Sequence, residues 1–185
     1  MTDSNWNNGK SWFNKSFALL VLGLWIAFWL LMYIAANGSY LYGITSAGHS
    51  AAKSSLNQRS QVWQTWTVSS VFLNNFEQSI LLVIPILGLI LFLVVMNNTG
   101  QFIGLLAAGT GTAPWLYILE LVFASNGVGI LEIGAYALLA AEATYVLYLW
   151  ITHQDPLSRI KTHSWKSFLL YVVLLVVAAW LEVNL

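Results

Sequence analysis

Long apolar runs without a single charge dominate this sequence. The first run, 17–36, contains no Asp, Glu, Lys or Arg. About 20 apolar residues is the length that an α-helix needs to cross the ~30 Å hydrocarbon core of a bilayer. Charged residues make up 8% of the chain, against about 25% in ordinary soluble domains. The sequence therefore predicts an all-α, polytopic transmembrane helical bundle.

Five spans are predicted within one transmembrane domain that covers 1–185. In chain order they are 17–36, 68–96, 102–124, 129–151 and 167–181. An outer loop, 37–64, follows the first span, and an inner basic loop, 152–164, precedes the last. Gly109, Gly111 and Pro114 interrupt the third span, which indicates either a kink or a re-entrant half-helix.

The basic residues are distributed unevenly between the predicted loops. Lys and Arg are retained on the cytoplasmic side of a membrane protein. With the N-terminus inside, five of the seven basic residues lie in inner segments, and only Lys53 and Arg59 lie outside. This pattern favours an N-in, C-out orientation in a multi-pass protein of the cell membrane.

The composition also excludes several classes of function. A net charge of zero leaves no basic surface for nucleic acid. Because the chain has no cysteine, it cannot form disulfides, thiolate metal sites or thiol nucleophiles of its own. No Ser–His pair and no intramembrane His/Asp metal set is visible. We therefore predict no enzyme activity, no bound metal and no cofactor.

Glutamates in the predicted spans are candidate functional residues, because ionisable groups are costly in hydrocarbon. Glu120 lies six residues before Asn126, and Glu132 lies six residues after it. If Asn126 is the centre of a helical hairpin, both carboxyls lie ~9 Å in from the turn. The two carboxyls are therefore predicted to be neighbours in the outer half of the bundle.

Glu77 enters the second span from the same outer side, directly after Asn74 and Asn75. We predict that these side chains join Glu132 in a polar cluster, while Glu142 points about 80° away at 100° per residue. No Lys or Arg lies within the predicted spans to pair the acids. Three interpretations remain: hydrogen bonds that fix the fold, an ion or proton site, or a docking surface for a partner's positive charge.

Small residues form the second pattern, because they let helix backbones approach closely in lipid. The third span opens with a Gly-x-x-x-Gly motif, and the fourth is rich in glycine and alanine. The predicted helix-packing residues are Gly100, Gly104, Gly129, Gly134, Ala137 and Ala141. Close packing inside one chain and a homo-oligomer interface both explain this pattern.

Short motifs in the middle of the chain carry a family resemblance. They are Asn74-Asn75, Pro85, Gly88, Asn98-Thr99-Gly100, Ile103-Gly104 and Gly129-Ile130-Leu131-Glu132. Over about 71–148 the chain resembles the stage II sporulation protein M family. The family typically has a Pro-His pair at the positions that Gly127 and Val128 occupy here. Any role of that histidine therefore does not transfer to this chain, whereas Glu132 matches the glutamate of the family motif.

The resemblance implies a helical protein of five or six spans without known catalytic activity. In spore-forming bacteria the family member is a scaffold that holds peptidoglycan-remodelling enzymes during engulfment. The leading hypothesis is therefore a non-catalytic scaffold or accessory subunit, with the lipid bilayer and a membrane-protein partner or a second copy around it. The alternative is a small cation- or proton-linked transporter or channel-like protein that uses intramembrane glutamates.

Overall fold

The computed structural model describes residue 13 and residues 15–63, 66–120 and 127–184, with backbone only for 58–63. All regular secondary structure in these residues is helical, which confirms the predicted all-α class. The helices are α1 Lys15–Gly43, α2 His49–Trp63, α3 Val68–Ser79, α4 Leu87–Thr110, α5 Pro114–Leu119, α6 Val128–Ile151, α7 Pro156–Arg159 and α8 Trp165–Asn184. A 3₁₀ turn, Ile80–Val83, follows α3, and a π-helical turn, Ile160–Ser164, joins α7 to α8.

Helices α1 and α4 pack closely against each other and run parallel. Gly100 lies against the carbonyl of Met32, and Gly104 lies against the carbonyl of Ala36. The Ser39 hydroxyl also donates to the carbonyl of Gln101 at 3.0 Å. The residue numbers rise together along both helices, so both run in the same direction.

Helix α6 runs in the opposite direction through the centre of the bundle. Its Tyr145 ring contacts Phe17 near the start of α1, at 6.1 Å between centroids. Its Tyr136 ring contacts Phe92 of α4 at 5.1 Å, and Phe92 in turn contacts Phe28, further along α1. As the numbers fall along α6 they rise along α1, so the two helices are antiparallel.

The remaining two legs complete an alternating arrangement. Ser167, near the start of α8, bonds Glu142 of α6, whereas Glu182, near its end, shares a cavity with Glu132. Helix α8 is therefore antiparallel to α6. Ser79, at the end of α3, is 2.7 Å from the Tyr171 hydroxyl of α8, while the start of α3 lies towards Glu182. Thus α3 and its 3₁₀ turn form a return leg between α1 and α4.

Four of the described helical segments are long and apolar enough to cross a membrane. They are Lys15–Gly43, Leu87–Thr110, Val128–Ile151 and Pro156–Asn184. The return leg, α3 with its 3₁₀ turn, is shorter and more polar than these four. The bundle thus has five alternating legs, although the second is unlike the rest. The N-in, C-out orientation stays a prediction.

The predicted boundary between the second and third spans is wrong. The interval 97–101 lies inside α4, where the Thr99 hydroxyl bonds the carbonyl of Val95 at 3.0 Å. The chain reverses instead at 84–86, where Ile86 has a φ of 65°. The predicted spans 68–96 and 102–124 therefore become a leg over 68–83 and a helix over 87–110, and residues 121–124 lie outside the described residues.

The physical reason for this error is that glycine and asparagine occur both in turns and inside membrane helices, where they permit close helix packing or hydrogen bonding. The polar run 97–100 has the composition of a turn, but Gly100 is needed where α4 meets α1 without room for a Cβ. Pro85 is the true breaker, because its ring removes a backbone donor. Gly88 follows it against the carbonyl of Leu81.

We predict that Gly104→Ala destabilises the bundle, whereas Gly134→Ala does not. An added Cβ at Gly104 would overlap the carbonyl of Ala36, but at Gly134 it would meet nothing within 4 Å. Overpacking costs about 1–3 kcal/mol, while alanine in place of an exposed helical glycine gains about 0.5–1 kcal/mol. Thermal unfolding in detergent should show a lower Tm for Gly104→Ala only. Equal shifts in both variants would contradict the packing of α1 on α4.

Candidate functional site

A buried ion pair joins α6 to the start of the last leg. Arg159 donates from Nε to Oε1 of Glu142 at 2.8 Å and from Nη2 to Oε2 at 2.7 Å. Ser164 donates to Oε1 at 2.7 Å, and Ser167 donates to Oε2 at 2.6 Å. Both charged side chains are 6% exposed. The carboxylate is thus satisfied by a planar cation and two hydroxyls, and we call these four residues the inner node.

Two aromatic rings complete the surroundings of the guanidinium. The Cζ atom of Arg159 lies 5.0 Å from the ring centroid of Phe17 and 4.8 Å from that of Tyr145. Arginine stacks on aromatic faces more readily than lysine because its charge is delocalised over a plane. The inner node therefore fixes α1, α6 and α8 at the same end of the bundle.

The inner node corrects one prediction from the sequence. Glu142 is not an unpaired intramembrane acid, because Arg159 pairs it. The sequence analysis places Arg159 in a basic loop. In the structure it is the last residue of α7, where it is buried shortly before the start of α8. No symmetric spacing in the sequence pointed to this pair, since Glu142 lies well before the end of α6 at Ile151 and Arg159 is the last residue of the short α7.

At the other end of the bundle, polar side chains from several helices surround a cavity of about 500 Å³. Asn75 of α3 donates from Nδ2 to Oε1 of Glu132 on α6. Glu182 of α8 and Asn74 of α3 also line this cavity. None of the described residues that line it is basic. We call this space the outer cavity.

Three members of the predicted cluster meet at the outer cavity, namely Glu132, Asn74 and Asn75. Glu77 and Glu120 do not line the cavity, and both are exposed. The proximity of Glu120 and Glu132 was predicted from a helix that continues to a turn at Asn126. That residue lies outside the described residues.

The chain departs from this symmetric hairpin before Glu120. Helix α4 ends at Thr110 and is capped by Gly111, which has a left-handed φ of 71°. A new short helix then starts at Pro114, in the position where proline is favoured. Glu120 therefore caps a separate helix instead of extending the long one, and the depth calculated for it no longer applies.

Glu182 is the functional candidate that the sequence analysis missed. The predicted last span ends at 181, which left this residue in the tail. In the structure α8 continues to Asn184, and Glu182 faces the outer cavity beside α3 and α6. Its position shows that the two acids of the cavity come from different legs.

The small residues predicted to pack helices fall into two groups. Gly100 and Gly104 contact α1 within the same chain. Gly129, Ala137 and Ala141 are buried in α6. Gly134 differs, since an added Cβ there would meet no atom of the described residues within 4 Å, so these residues give no close contact for the packing role predicted for it.

The described residues contain no group of three His, Cys, Asp or Glu side chains placed to hold a metal ion. The outer cavity has two carboxylates, which come from Glu132 and Glu182, together with amides and hydroxyls. Chemically, this arrangement can accept hydrogen bonds and attract a cation, but it has no nucleophile and base in contact.

Comparison with known proteins assigns the chain to a family. The sequence model described as stage II sporulation protein M matches residues 15–185. The chain belongs to this family. The match covers nearly the whole chain, beyond the 71–148 over which the motifs suggested the resemblance, and includes Glu132, Glu142 and Arg159. No match was found among curated proteins or among solved structures.

Family membership and four long apolar helices identify a multi-pass membrane protein. The inner node and the outer cavity are two distinct polar sites within it. In the inner node every charged atom of the carboxylate has a partner. The outer cavity holds acids with no basic residue among its described lining, and it is therefore the candidate site for binding.

We predict that the inner node is essential for stability. Glu142→Gln and Arg159→Lys should each lower the free energy of unfolding by about 3–5 kcal/mol, because a buried charge is left without its bidentate partner. Lys161→Ala is the control, since Lys161 is exposed on the neighbouring turn and a surface change of this kind costs at most about 0.5 kcal/mol.

Unfolding in mixed detergent micelles, followed by circular dichroism, measures all three variants. The double variant Glu142→Leu/Arg159→Leu should lose less stability than the sum of the two single leucine variants, since the partners interact directly. Strict additivity would show that the pair is not coupled.

Proposed function

We propose that this protein is a non-catalytic scaffold or accessory subunit of a larger complex in the cell membrane. One observation carries the proposal. Asn74, Glu77 and Gln78 lie on one face of α3 and are exposed, because residues three and four positions apart are neighbours on a helix. We call this face the α3 polar stripe.

The depth of the α3 polar stripe follows from the contacts on either side of it. Asn75 bonds Glu132, four residues into α6 from its first residue. Ser79 contacts Tyr171, which lies well inside α8. Glu77 lies between these two levels, so it is about 10 Å inside the end of the bundle at 1.5 Å per residue.

Polar groups at this depth need partners other than lipid. Hydrocarbon offers no hydrogen bonds, and an unsatisfied polar group there costs several kcal/mol. Within the stripe, Gln78 donates to Asn74 at 3.0 Å. Glu77 makes no hydrogen bond or ion pair with the described side chains. A second protein that covers the stripe accounts for this exposure.

The chemistry of the stripe indicates what covers it. An acid flanked by two amides is complementary to a transmembrane helix that carries a basic or hydrogen-bond-donating side chain at the same depth. A symmetric contact with a second copy would bring one Glu77 towards another, which is unfavourable unless they share a proton. We therefore favour a different membrane protein over a homo-oligomer.

The absence of a catalytic role is part of the proposal. Outside the five legs, the described residues form only α2, α5 and short connections. Segments of this size do not build a separate catalytic core. The family is also consistent with a supporting role, since the match is to a sporulation membrane protein.

A second candidate function is supported by the outer cavity. A small cation- or proton-linked transporter would use Glu132 and Glu182 as an intramembrane binding site. In liposomes, such a protein would give a cation-dependent flux that Glu132→Gln abolishes. The scaffold proposal expects no flux above that of protein-free liposomes.

The scaffold proposal is tested by charge reversal at the stripe. A tagged chain purified from native membranes in mild detergent should bring down a stoichiometric membrane protein. Glu77→Lys should reduce recovery of that partner at least tenfold, because the new charge opposes its donor. Glu120→Lys, which reverses an exposed acid on α5, should retain the partner.

Three results would contradict the proposal. They are purification without any protein partner, equal loss of the partner in both variants, and recovery of only a second copy of the chain. Size-exclusion elution of each variant alone serves as the control for folding.

A further inference from the structure

Aromatic side chains form much of the wall of the outer cavity. Trp29 of α1, Phe102 of α4 and Tyr136 of α6 line it together with Glu132 and Glu182. Aromatic faces attract cations through their quadrupole, and they do so best when the cation is poorly hydrated. Aromatic rings beside carboxylates therefore favour an organic ammonium ion over a strongly hydrated metal ion.

The balance of charge in the outer cavity points in the same direction. Its described lining contains two acids and no Lys, Arg or His. Among the described residues, Glu132 accepts from the amide of Asn75 at one of its two oxygens. A ligand with a positive charge would stabilise the ionised form of both acids, whereas the described lining offers no positive partner to an anion.

Trp29 adds an independent requirement. Its indole N–H is buried and has no acceptor within the described structure. Buried donors are almost always hydrogen-bonded. Because Trp29 lines the cavity, a ligand bound there is a candidate acceptor for this N–H. A simple ammonium ion offers only donors or methyl groups. A hydroxyl or ether oxygen on the ligand would satisfy the indole.

The size and the opening of the cavity allow such a ligand to enter. A volume of about 500 Å³ lies in the range of small-molecule sites, about 300–1,000 Å³. Ser70, Asn74 and Gln78 line the cavity and are themselves exposed. The cavity therefore opens along the polar side of α3.

We propose that the outer cavity binds an amino alcohol, that is, a small organic ammonium ion that carries an oxygen. The ammonium group lies against the aromatic faces near Glu132 and Glu182, and the oxygen accepts from Trp29. The same chemistry occurs in a free amino alcohol and in the headgroup of an amine-containing lipid. Asn74 and Gln78 belong both to the α3 polar stripe and to the lining of the cavity. Binding of this ligand requires no protein partner, so the proposal is tested on the purified chain alone.

The first experiment compares choline with 3,3-dimethylbutan-1-ol, its uncharged counterpart of nearly the same shape. The full chain is placed in nanodiscs of phosphatidylglycerol, which contains no amine, and each compound is titrated by calorimetry. Choline should bind saturably and raise the Tm, and the uncharged compound should bind at least tenfold more weakly. Equal binding of both compounds, or none of choline, overturns the proposal.

Variants then identify the site. Glu132→Gln and Glu182→Gln should each weaken choline binding at least tenfold, whereas Glu120→Gln, outside the cavity, should not. Trp29→Phe keeps the aromatic ring but removes the N–H, so it should abolish the preference for choline over tetramethylammonium. The Tm of each variant without ligand shows whether it folds.

Two further arms separate the sources and the competing ions. If the natural ligand is a lipid headgroup, nanodiscs of phosphatidylcholine should prevent binding of added choline. If the natural ligand is a free amino alcohol, added choline should still bind in these nanodiscs. Stabilisation by Na⁺ or Ca²⁺ that Glu132→Gln removes, without any effect of choline, would show a metal site and overturn the proposal.

Discussion

The bidentate contact between Arg159 and Glu142 is the interaction on which the arrangement of the helices depends. A carboxylate buried within an apolar bundle is tolerated only when its charge and lone pairs are satisfied. Here one guanidinium and two hydroxyls do so. Because the carboxylate belongs to α6 while the other groups lie on the last leg, the electrostatic requirement fixes the register between them. Phe17 stacks on the same guanidinium, so α1 is aligned by the same pair.

The two ends of the bundle differ in how completely their polar groups are satisfied. At the inner node each carboxylate oxygen of Glu142 accepts two hydrogen bonds, and the surrounding side chains exclude water. At the outer cavity two carboxylates share space with amides but with no described base. Groups that are completely satisfied stabilise a fold and have little capacity to bind anything else. Groups that are incompletely satisfied cost stability, and such a cost is typical of sites that bind a ligand. The chemistry of this protein is therefore concentrated at one end.

Sequence reasoning predicted the helical class and the helices that lack internal ambiguity. The fourth predicted span, 129–151, differs from α6 by one residue at its start, because a long apolar run without a turn signal forms one continuous helix in a membrane. The second and third spans could not be separated correctly, since Gly100 serves helix packing while the sequence gives it the appearance of a turn residue. The partner of Glu142 was missed for a related reason. Arg159 follows a helix end and a proline, which is a context typical of a solvated loop. Its burial in the bundle depends on the geometry of the turn, which the sequence does not show. At the outer cavity, Glu132 and Asn75 were predicted from their polarity and from their depth in the predicted spans, whereas the aromatic part of the lining required the tertiary structure.

The short, polar second leg links these observations. This leg consists of a helix of 12 residues and a 3₁₀ turn, and the chain reverses sharply at Ile86 to begin α4. Because the leg is polar, its inward side chain Asn75 can bond Glu132, and its exposed side chains form the α3 polar stripe. The stripe and the cavity therefore share Asn74 and Gln78, and Glu77 is the stripe residue that does not line the cavity. A fully apolar helix in this position would lack both the polar side chains that line the cavity and those that form the stripe. The irregularity of this leg is thus the structural origin of both candidate sites, and a partner bound to the stripe would lie beside the entrance of the cavity.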